Sequence, residues 1–247
     1  AALHLPPVLD QICNLRRGLV LFTGATGNGK STSVAALLHH INQSRTGHIL
    51  TVEDPIEFAL PKGKGVVTQR ELGLDTKSFA TALTAALRQD PDIVMIGEMR
   101  DGETVEVALK AAETGHMVVS TVHTPDAVKT IQRLAGFFKG EDQAAARHRI
   151  AENLMAAISL RLVPAQGGGR IPAVEVLRVN RTAQEYIKNA ERTGDLYGLM
   201  AASREFGMQT FDQALLDLVR GGKVTIAVAK SFATSPEELE RNVMLDG

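Results

Sequence analysis

The sequence predicts an α/β fold with a mainly parallel sheet, and three observations support this prediction. Short apolar runs typical of buried strands alternate with helix-period stretches through residue 159 of the 247 residues. Residues 24–31, GATGNGKS, lie between the first apolar run and the first helical pattern and match the spacing G-x-x-x-x-G-K-S. Beyond residue 160 the pattern changes to that of an antiparallel hairpin followed by helices.

Each residue type in segment 24–31 suits the binding of a phosphate. The glycines let consecutive backbone N–H groups turn toward the anion, and Lys30 can reach the β- and γ-phosphates of a nucleotide. The Ser31 hydroxyl can join the shell of a Mg²⁺ ion, and the following helix points its positive end at the anion. A strand at 18–23 and a helix at 30–43 supply the context that such a loop requires. The alternative is a tight glycine turn that binds nothing.

The other elements follow from apolar periodicity and turn residues. The predicted strands are 18–23, 48–53, 66–69, 92–96, 117–121, 160–163 and 171–177. The predicted helices are a short one after Pro6 and Pro7, then 30–43, 76–90, 102–113, 125–138, 141–159 and the stretch from 182 onward. The PKGKG loop at 61–65 predicts a hairpin. This order favours right-handed crossovers in a RecA-like P-loop NTPase core over residues 1–180, with a helical appendage over 181–247.

The composition and charge of the chain argue against some classes of function. The formal net charge is −1, aromatic residues make up 4% of the chain, and Lys and Arg are scattered, which argues against a dedicated nucleic-acid-binding protein. The single cysteine, Cys13, permits no internal disulfide and fits a reducing compartment. No apolar run reaches transmembrane length. Because the chain starts Ala-Ala without Met, we expect a fragment of a longer protein.

Two predicted strands end in carboxylates that suit phosphate chemistry. Glu98 follows the apolar run 93–96, a Walker B-like pattern, and Glu53 and Asp54 end the strand 48–53. Ligands of parallel sheets lie off the carboxyl ends of the strands, where such acids can hold a metal or polarise water. The alternative for Glu98 is a solvated loop acid, and for Glu53 and Asp54 a polar turn before Pro55.

His116 and His123 bracket the predicted strand 117–121. A lone histidine is more often a structural hydrogen-bonding residue than a catalyst. Two at the ends of one strand are candidates for sensing the γ-phosphate or coupling subunits. No cysteine or carboxylate lies at ligand spacing beside them, which argues against a zinc site.

Four segments together resemble the sequence boxes of type II and type IV secretion ATPases. GATGNGKS at 24–31 resembles their Walker A box, and TVEDPIE at 51–57 resembles their Asp box. LRQDPDIVMIGEMRD at 87–101 resembles their atypical Walker B box, and AETGHMVVSTVHT at 112–124 resembles their His box. The tail segments EFGMQTFDQALLDL and SPEEL are similar to those of the PilT/PilU family of type IV pilus retraction ATPases.

The resemblance implies roles for particular residues. The implied nucleotide-binding residues are Gly24, Thr26, Gly27, Asn28, Gly29, Lys30, Ser31 and Thr32. Glu98 would be the catalytic carboxylate, Glu53 would support the metal or the water, and Ser31 would bind Mg²⁺ with Glu53 and Glu98 nearby. His116 and His123 would couple the nucleotide state to subunit motion. Arg70, Arg88 and Arg100 are candidates for the arginine that completes the site, and the sequence does not choose among them.

The resemblance also implies an assembly and a place in the cell. The expected activity is Mg²⁺-dependent ATP hydrolysis that drives pilus retraction and twitching motility. The expected assembly is a homo-hexamer at the cytoplasmic face of the bacterial membrane, in contact with a platform protein and a paralogous retraction ATPase. Two departures from the family pattern are noted: residues 1–247 do not include the N-terminal PAS-like domain expected of the family, and 182–189 (TAQEYIKN) lacks the Arg-Asn pair of the family's tail motif.

Three other functions remain open at this stage, and one of them is a nucleotide-binding structural module that binds ATP without cleaving it. A pilus-assembly or type II secretion ATPase of the same superfamily is the nearest, although a single cysteine excludes the four-cysteine zinc module that many of them carry. A RecA-like nucleic-acid motor would show an ATPase rate that rises with single-stranded DNA in a salt-dependent way.

Overall fold

The structure is a computed structural model that describes residues 3–244. Within this range one sheet is formed by β1 (Gly18–Thr23), β2 (His48–Glu53), β3 (Val66–Glu71), β4 (Ile93–Ile96), β5 (Met117–Val122), β6 (Leu154–Pro164) and β7 (Arg170–Arg178). The strand order is β3-β2-β4-β5-β1-β6-β7. All neighbouring pairs are parallel except β6 and β7, which are antiparallel. The α/β class, the mainly parallel sheet and the antiparallel hairpin are therefore confirmed.

The described helices flank this sheet and continue beyond it. They are α1 (Val8–Cys13), α2 (Lys30–Ser44), α3 (Phe79–Ala86), α4 (Gly102–Glu113), α5 (Ala127–Gly136), α6 (Glu141–Asn153), α7 (Arg181–Lys188), α8 (Leu196–Ala201), α9 (Phe211–Arg220), α10 (Ile226–Phe232) and α11 (Pro236–Met244). From Arg181 to Met244 the chain contains helices and turns, as the sequence predicts. The division into domains at residue 180 stays a prediction, and its ends at 1–2 and 245–247 lie outside the described residues.

Alternating side chains of the strands build a core on each face of the sheet. Leu19 and Leu21 of β1 face one cluster, which also contains apolar residues of α3, α4, α5 and α6. Val20 and Phe22 face the other cluster, with α1 and α2. Because β1 is buried along its whole length, its run of apolar residues has no polar alternation.

The helix predicted at 141–159 is wrong over residues 154–159, which form a strand. Helix α6 ends at Asn153, and the chain continues directly into β6, which pairs in parallel with β1. The run LMAAIS contains no helix breaker, and its alanines favour a helix. The open edge of β1 supplies backbone partners and a buried position on both faces, and this tertiary pairing overrides local propensity.

The hairpin predicted between β2 and β3 is also wrong. The loop 61–65 does not form a hairpin, because β3 pairs in parallel with β2, from His48 opposite Val66 to Glu53 opposite Glu71. A parallel pair requires the chain to return to the starting end of the first strand, and residues 54–65 make this return. The predicted helix at 76–90 is also shorter: α3 starts at Phe79 because Ser78 caps it, with the Ser78 hydroxyl accepting from Thr81 N.

Candidate active site

The phosphate loop connects β1 to α2 at the carboxyl end of the sheet. Gly24 has φ 140°, and a Cβ placed there would lie 2.6 Å from the Leu160 carbonyl oxygen, so only glycine fits. Gly29 precedes α2 with φ 84°, and no side chain caps the helix at this position. The first-turn N–H groups of α2 are therefore available to an anion, which the positive end of the helix also attracts.

Lys30 is held at the mouth of this loop. The residue is 7% exposed, and Nζ donates to the carbonyl oxygens of Gly24 at 2.9 Å and Ala25 at 3.1 Å. Burial lowers the pKa of the Lys30 ammonium, while the nearby Glu57 carboxylate acts in the opposite direction. The ammonium is thus placed in advance next to the backbone that would receive the phosphates.

A cavity of about 440 Å³ opens beside the loop. The start of α2, the segments that follow β2, β4 and β5, and the β6–β7 hairpin line it. Of the residues expected to bind nucleotide, the cavity is lined by Thr26, Gly27, Gly29, Lys30, Ser31 and Thr32. Gly24 and Asn28 support the loop from outside the cavity lining: Gly24 O accepts from Lys30, and Asn28 Oδ1 accepts from Leu162 N at 3.3 Å.

Glu57 is a site residue that the sequence reasoning did not single out. Its Oε1 accepts a hydrogen bond of 2.9 Å from Ser31 Oγ, the hydroxyl expected to bind Mg²⁺. Glu57 lies in the loop after β2, four residues beyond Glu53, and lines the cavity. The signal was present in the 51–57 segment, which contains three acids, but the sequence does not show which of them faces Ser31.

Glu53 also lines the cavity, where neighbours hold its carboxylate. Its Oε1 accepts from Thr51 Oγ1 at 2.6 Å and from Gln69 Nε2 at 3.0 Å. Two donors on one oxygen orient the carboxylate. Glu53 therefore has a set position beside the loop that carries Glu57.

Glu98 lies beyond the end of β4, and both of its carboxylate oxygens are engaged. Arg100 pairs with Oε1, and His123 Nε2 lies 3.1 Å from Oε2. Arg100 also reaches Asp54 Oδ2 at 3.4 Å, so it links the segments that follow β2 and β4. The Glu98 side chain is 12% exposed, which favours strong electrostatic contacts.

His123 and His116 lie at opposite ends of β5. Burial, then Lys30 and Arg100, lower the pKa of His123, which favours the neutral imidazole. A neutral ring with its proton on Nε2 can donate to Glu98 Oε2. His116 lies before β5, where its Nδ1 is within hydrogen-bond distance of Ala111 O at 3.0 Å and Thr114 Oγ1 at 3.1 Å. His116 does not line the cavity, and the geometry gives it no contact with the nucleotide site of its own chain.

The three arginines proposed from sequence lie in different places. Arg100 lines the cavity, whereas Arg70 and Arg88 do not, and Arg70 instead donates to Gln89 Oε1 at 3.0 Å. Arg170, which the sequence reasoning missed, starts β7 and lines the cavity. Its Nη1 lies 3.5 Å from the Gly27 carbonyl oxygen of the phosphate loop.

The charges on the cavity wall fit a nucleotide that arrives with a divalent cation. Four carboxylates (Glu53, Asp54, Glu57 and Glu98) line it, together with Lys30, Arg100 and Arg170. A triphosphate placed among four carboxylates needs additional positive charge. Within residues 3–244 no group of three or more His, Cys, Asp or Glu side chains is arranged to hold a metal alone.

Comparisons with known proteins place the chain in a family. The family model described as type II/IV secretion system protein matches residues 6–174. The type IV pilus retraction ATPase PilT of Pseudomonas aeruginosa is 43% identical over 230 residues, covering 93% of this chain and 67% of PilT. The type IV pilus ATPase PilU of the same organism is 43% identical over 244 residues, covering 98% of this chain and 64% of PilU.

A crystal structure of the pilus retraction motor PilT with bound ADP superposes with a TM-score of 0.89 at 45% identity. The match covers 97% of this chain and 68% of that one. This chain thus spans about two thirds of the length of these relatives. The chain belongs to the type II/IV secretion system protein family, in the branch that contains PilT and PilU.

Proposed function

We propose that this chain binds and hydrolyses ATP with Mg²⁺ as the ATPase part of a type IV pilus retraction motor. The observation that carries the proposal is the meeting of a complete phosphate loop with three carboxylates in one cavity: Glu53 and Glu57 from segment 51–57, and Glu98 from the segment after β4. The ADP-bound PilT structure and the PilT and PilU sequences support the same reaction.

The phosphate loop binds the nucleotide. Backbone N–H groups at the start of α2 face the β- and γ-phosphates, and the Lys30 ammonium exchanges its carbonyl partners for phosphate oxygens. The two carbonyl bonds of 2.9 and 3.1 Å keep the ammonium in place before the nucleotide arrives, so little order is lost on binding.

Mg²⁺ fits the donors next to Lys30. Ser31 would coordinate it directly, and Glu57, with Oε1 2.9 Å from the Ser31 hydroxyl, would hold the metal or a water of its shell. When bound, Mg²⁺ would neutralise charge on the β- and γ-phosphate oxygens. Glu53, fixed by Thr51 and Gln69, supports the same region from the end of β2.

Glu98 polarises the water that attacks the γ-phosphate. Its contacts with Arg100 and His123 orient the carboxylate at the end of β4. For Glu98 to contact water, one of these partners must move away, and the guanidinium of Arg100 is 58% exposed and can turn toward developing phosphate charge. Neutral His123 donates to Glu98 and so senses any change in the position of that carboxylate.

A motor role would also require an assembly, partners and a position in the cell. Retraction, a homo-hexamer, a membrane platform partner, a paralogous ATPase and a cytoplasmic position at the membrane are proposed from the PilT and PilU relatives. In residues 3–244 no helix has the length and apolar character needed to cross a bilayer. Pilus counts on cells that lack their retraction ATPase would test retraction. If the protein acts in retraction, its expression lowers the count, and if it acts in assembly, it does not.

The enzymatic proposal is tested by Mg²⁺-ATP hydrolysis over a range of protein concentrations. Glu98→Gln is expected to keep nucleotide affinity and to lose turnover by about 100-fold or more, because it removes the basic carboxylate. Lys30→Ala is expected to weaken ATP binding as well, and Glu103→Gln, an exposed carboxylate on α4, serves as the control. A rate per chain that rises with concentration means that copies share the site. Normal hydrolysis by Glu98→Gln refutes its role, and ATP binding without hydrolysis by the unmodified chain refutes the activity.

A further inference from the structure

The part of the loop that carries Glu57, residues 54–60, depends on β3 for its position, whereas residues 61–65 are bound by Asn42 and Gln43 of α2. Residues 54–65 contain no helix and no strand, so no internal ladder of backbone hydrogen bonds orients the Glu57 side chain. Helix α2 contributes one contact at the loop's active-site end, the hydrogen bond from Ser31 to Glu57 itself. The backbone on either side of Glu57 is bound by two side chains of the edge strand β3, Gln69 and Glu71.

Gln69 binds both the loop and a cavity carboxylate. Its Nε2 donates to the Phe58 carbonyl oxygen at 3.0 Å and to Glu53 Oε1 at 3.0 Å. Its Oε1 accepts from Leu60 N at 2.9 Å. One amide group therefore fixes the distance between Glu53 and the backbone just after Glu57.

Glu71 binds the loop on the other side of Glu57. Its Oε2 accepts from Ile56 N at 3.0 Å. Gln69 and Glu71 are two residues apart on one strand, so their side chains leave the same face of the sheet. Together they anchor the backbone before and after Glu57.

We propose that Gln69 is a positioning residue that holds Glu57 and Glu53 at their working separation, with Glu71 as the second anchor of the loop. The inference rests on the proposed function, since it gives the separation of these carboxylates a catalytic purpose. Only an amide can make the three Gln69 contacts at once, because Glu53 and Phe58 need a donor and Leu60 needs an acceptor. A carboxylate at position 69 would instead face Glu53 with like charge.

The test combines hydrogen exchange with kinetics on the 247-residue chain. In Gln69→Leu the Leu60 amide is expected to exchange about tenfold faster, because its acceptor is gone. The kcat for Mg²⁺-ATP is expected to fall by about 10- to 100-fold, since a displaced catalytic group costs rate. The KM is expected to change by less than about threefold, because the contacts of the phosphate loop with the nucleotide remain.

Two further variants separate positioning from a general loss of structure. Gln69→Glu keeps an acceptor for Leu60, so exchange at that amide should stay slow. Its kcat should be as low as that of Gln69→Leu, because a carboxylate cannot donate to Glu53 or Phe58 and faces Glu53 with like charge. Thr68→Val is the matched control: Thr68 lies on the opposite face of β3, where its Oγ1 is 3.0 Å from His48 Nε2.

The possible results distinguish a failure of the inference about Gln69 from a failure of the proposed function. Unchanged Leu60 exchange in Gln69→Leu overturns the inference, as does faster exchange with an unchanged kcat or an equal loss of kcat in Thr68→Val. Absence of turnover in the unmodified chain refutes the proposed function instead. In that case the Leu60 exchange measurement still decides whether Gln69 holds the loop.

Discussion

Glu175 is expected to make the stability of this protein depend on pH near neutrality. The side chain lies on β7 and is 2% exposed. Its Oε1 accepts from Ala127 N at 2.8 Å, at the start of α5, and from Ser159 Oγ at 3.2 Å. Burial raises the pKa of the Glu175 carboxyl from 4.5 to about 7, and the bond from Ala127 opposes this rise only in part.

The size and sign of the effect follow from this shift. Between pH 4.5 and about 7 the folded protein keeps a proton that the unfolded chain releases, so the free energy of unfolding falls as pH rises. The loss of stability is complete about one pH unit above 7 and amounts to about 3 kcal/mol in total. Between roughly pH 5 and pH 8 the expected difference is about 2.5 kcal/mol. For a chain of this size that corresponds to a change in Tm of about 5–10 °C.

The assay is chemical denaturation at a series of pH values for the unmodified chain and for Glu175→Gln. The amide keeps an acceptor oxygen for Ala127 and Ser159 and cannot ionise, so the Glu175 contribution to the pH slope should disappear. Glu205→Gln, which removes an exposed carboxylate, should leave the slope in place. Equal slopes in the unmodified chain and Glu175→Gln would refute the reasoning. If the variant does not fold, the Ala127 amide NMR shift of the unmodified chain decides, because it should titrate with a midpoint near 7.

Two other predictions concern the cavity rim and a helix terminus. Arg170→Ala should weaken ADP binding by about threefold to tenfold at low salt and by less at high salt, because it removes a cation whose Nη1 lies 3.5 Å from Gly27 O. If Arg170→Ala and the unmodified chain bind ADP with the same affinity at both salt concentrations, Arg170 lies outside the nucleotide site. Ser78→Ala should lower the free energy of unfolding by about 1 kcal/mol, because it removes the Ser78 Oγ that accepts from Thr81 N at 3.1 Å and caps α3. Ser78→Asn should retain most of this stability, since its side-chain oxygen can also accept from Thr81 N. A thermal melt checks the second prediction, and a loss in Ser78→Asn as large as that in Ser78→Ala would contradict it.

Much of the candidate site was predictable because its chemistry is local in the chain. The phosphate loop needs glycine, Lys30 and Ser31 at set spacing between a strand and a helix, and these lie within eight residues, 24–31. The strands 18–23 and 48–53 were also predictable to the residue, since continuous apolar runs bounded by glycine, proline and acids are typical of buried parallel strands.

The sequence-based predictions failed where contacts with distant parts of the chain decide the secondary structure or the position of a side chain. Residues 154–159 have the composition of a helix and become part of β6 because β1 offers a free edge. His116 and His123 look equivalent in sequence, yet a six-residue strand separates them by about 20 Å and only the carboxyl end of β5 reaches the cavity. Glu57 could not be distinguished from Glu53 and Asp54 by spacing alone.

The sequence by itself determined the fold class, the phosphate loop and the family, because each depends on periodicity or on short motifs. Only the tertiary structure decided which acids and cations share the cavity with Lys30, namely Glu57 next to Ser31, Arg100 on Glu98, and Arg170 at the rim. These contacts join segments that lie far apart in the chain. Their geometry depends on strand order and on the path of the loop after β2, neither of which is encoded in any local pattern.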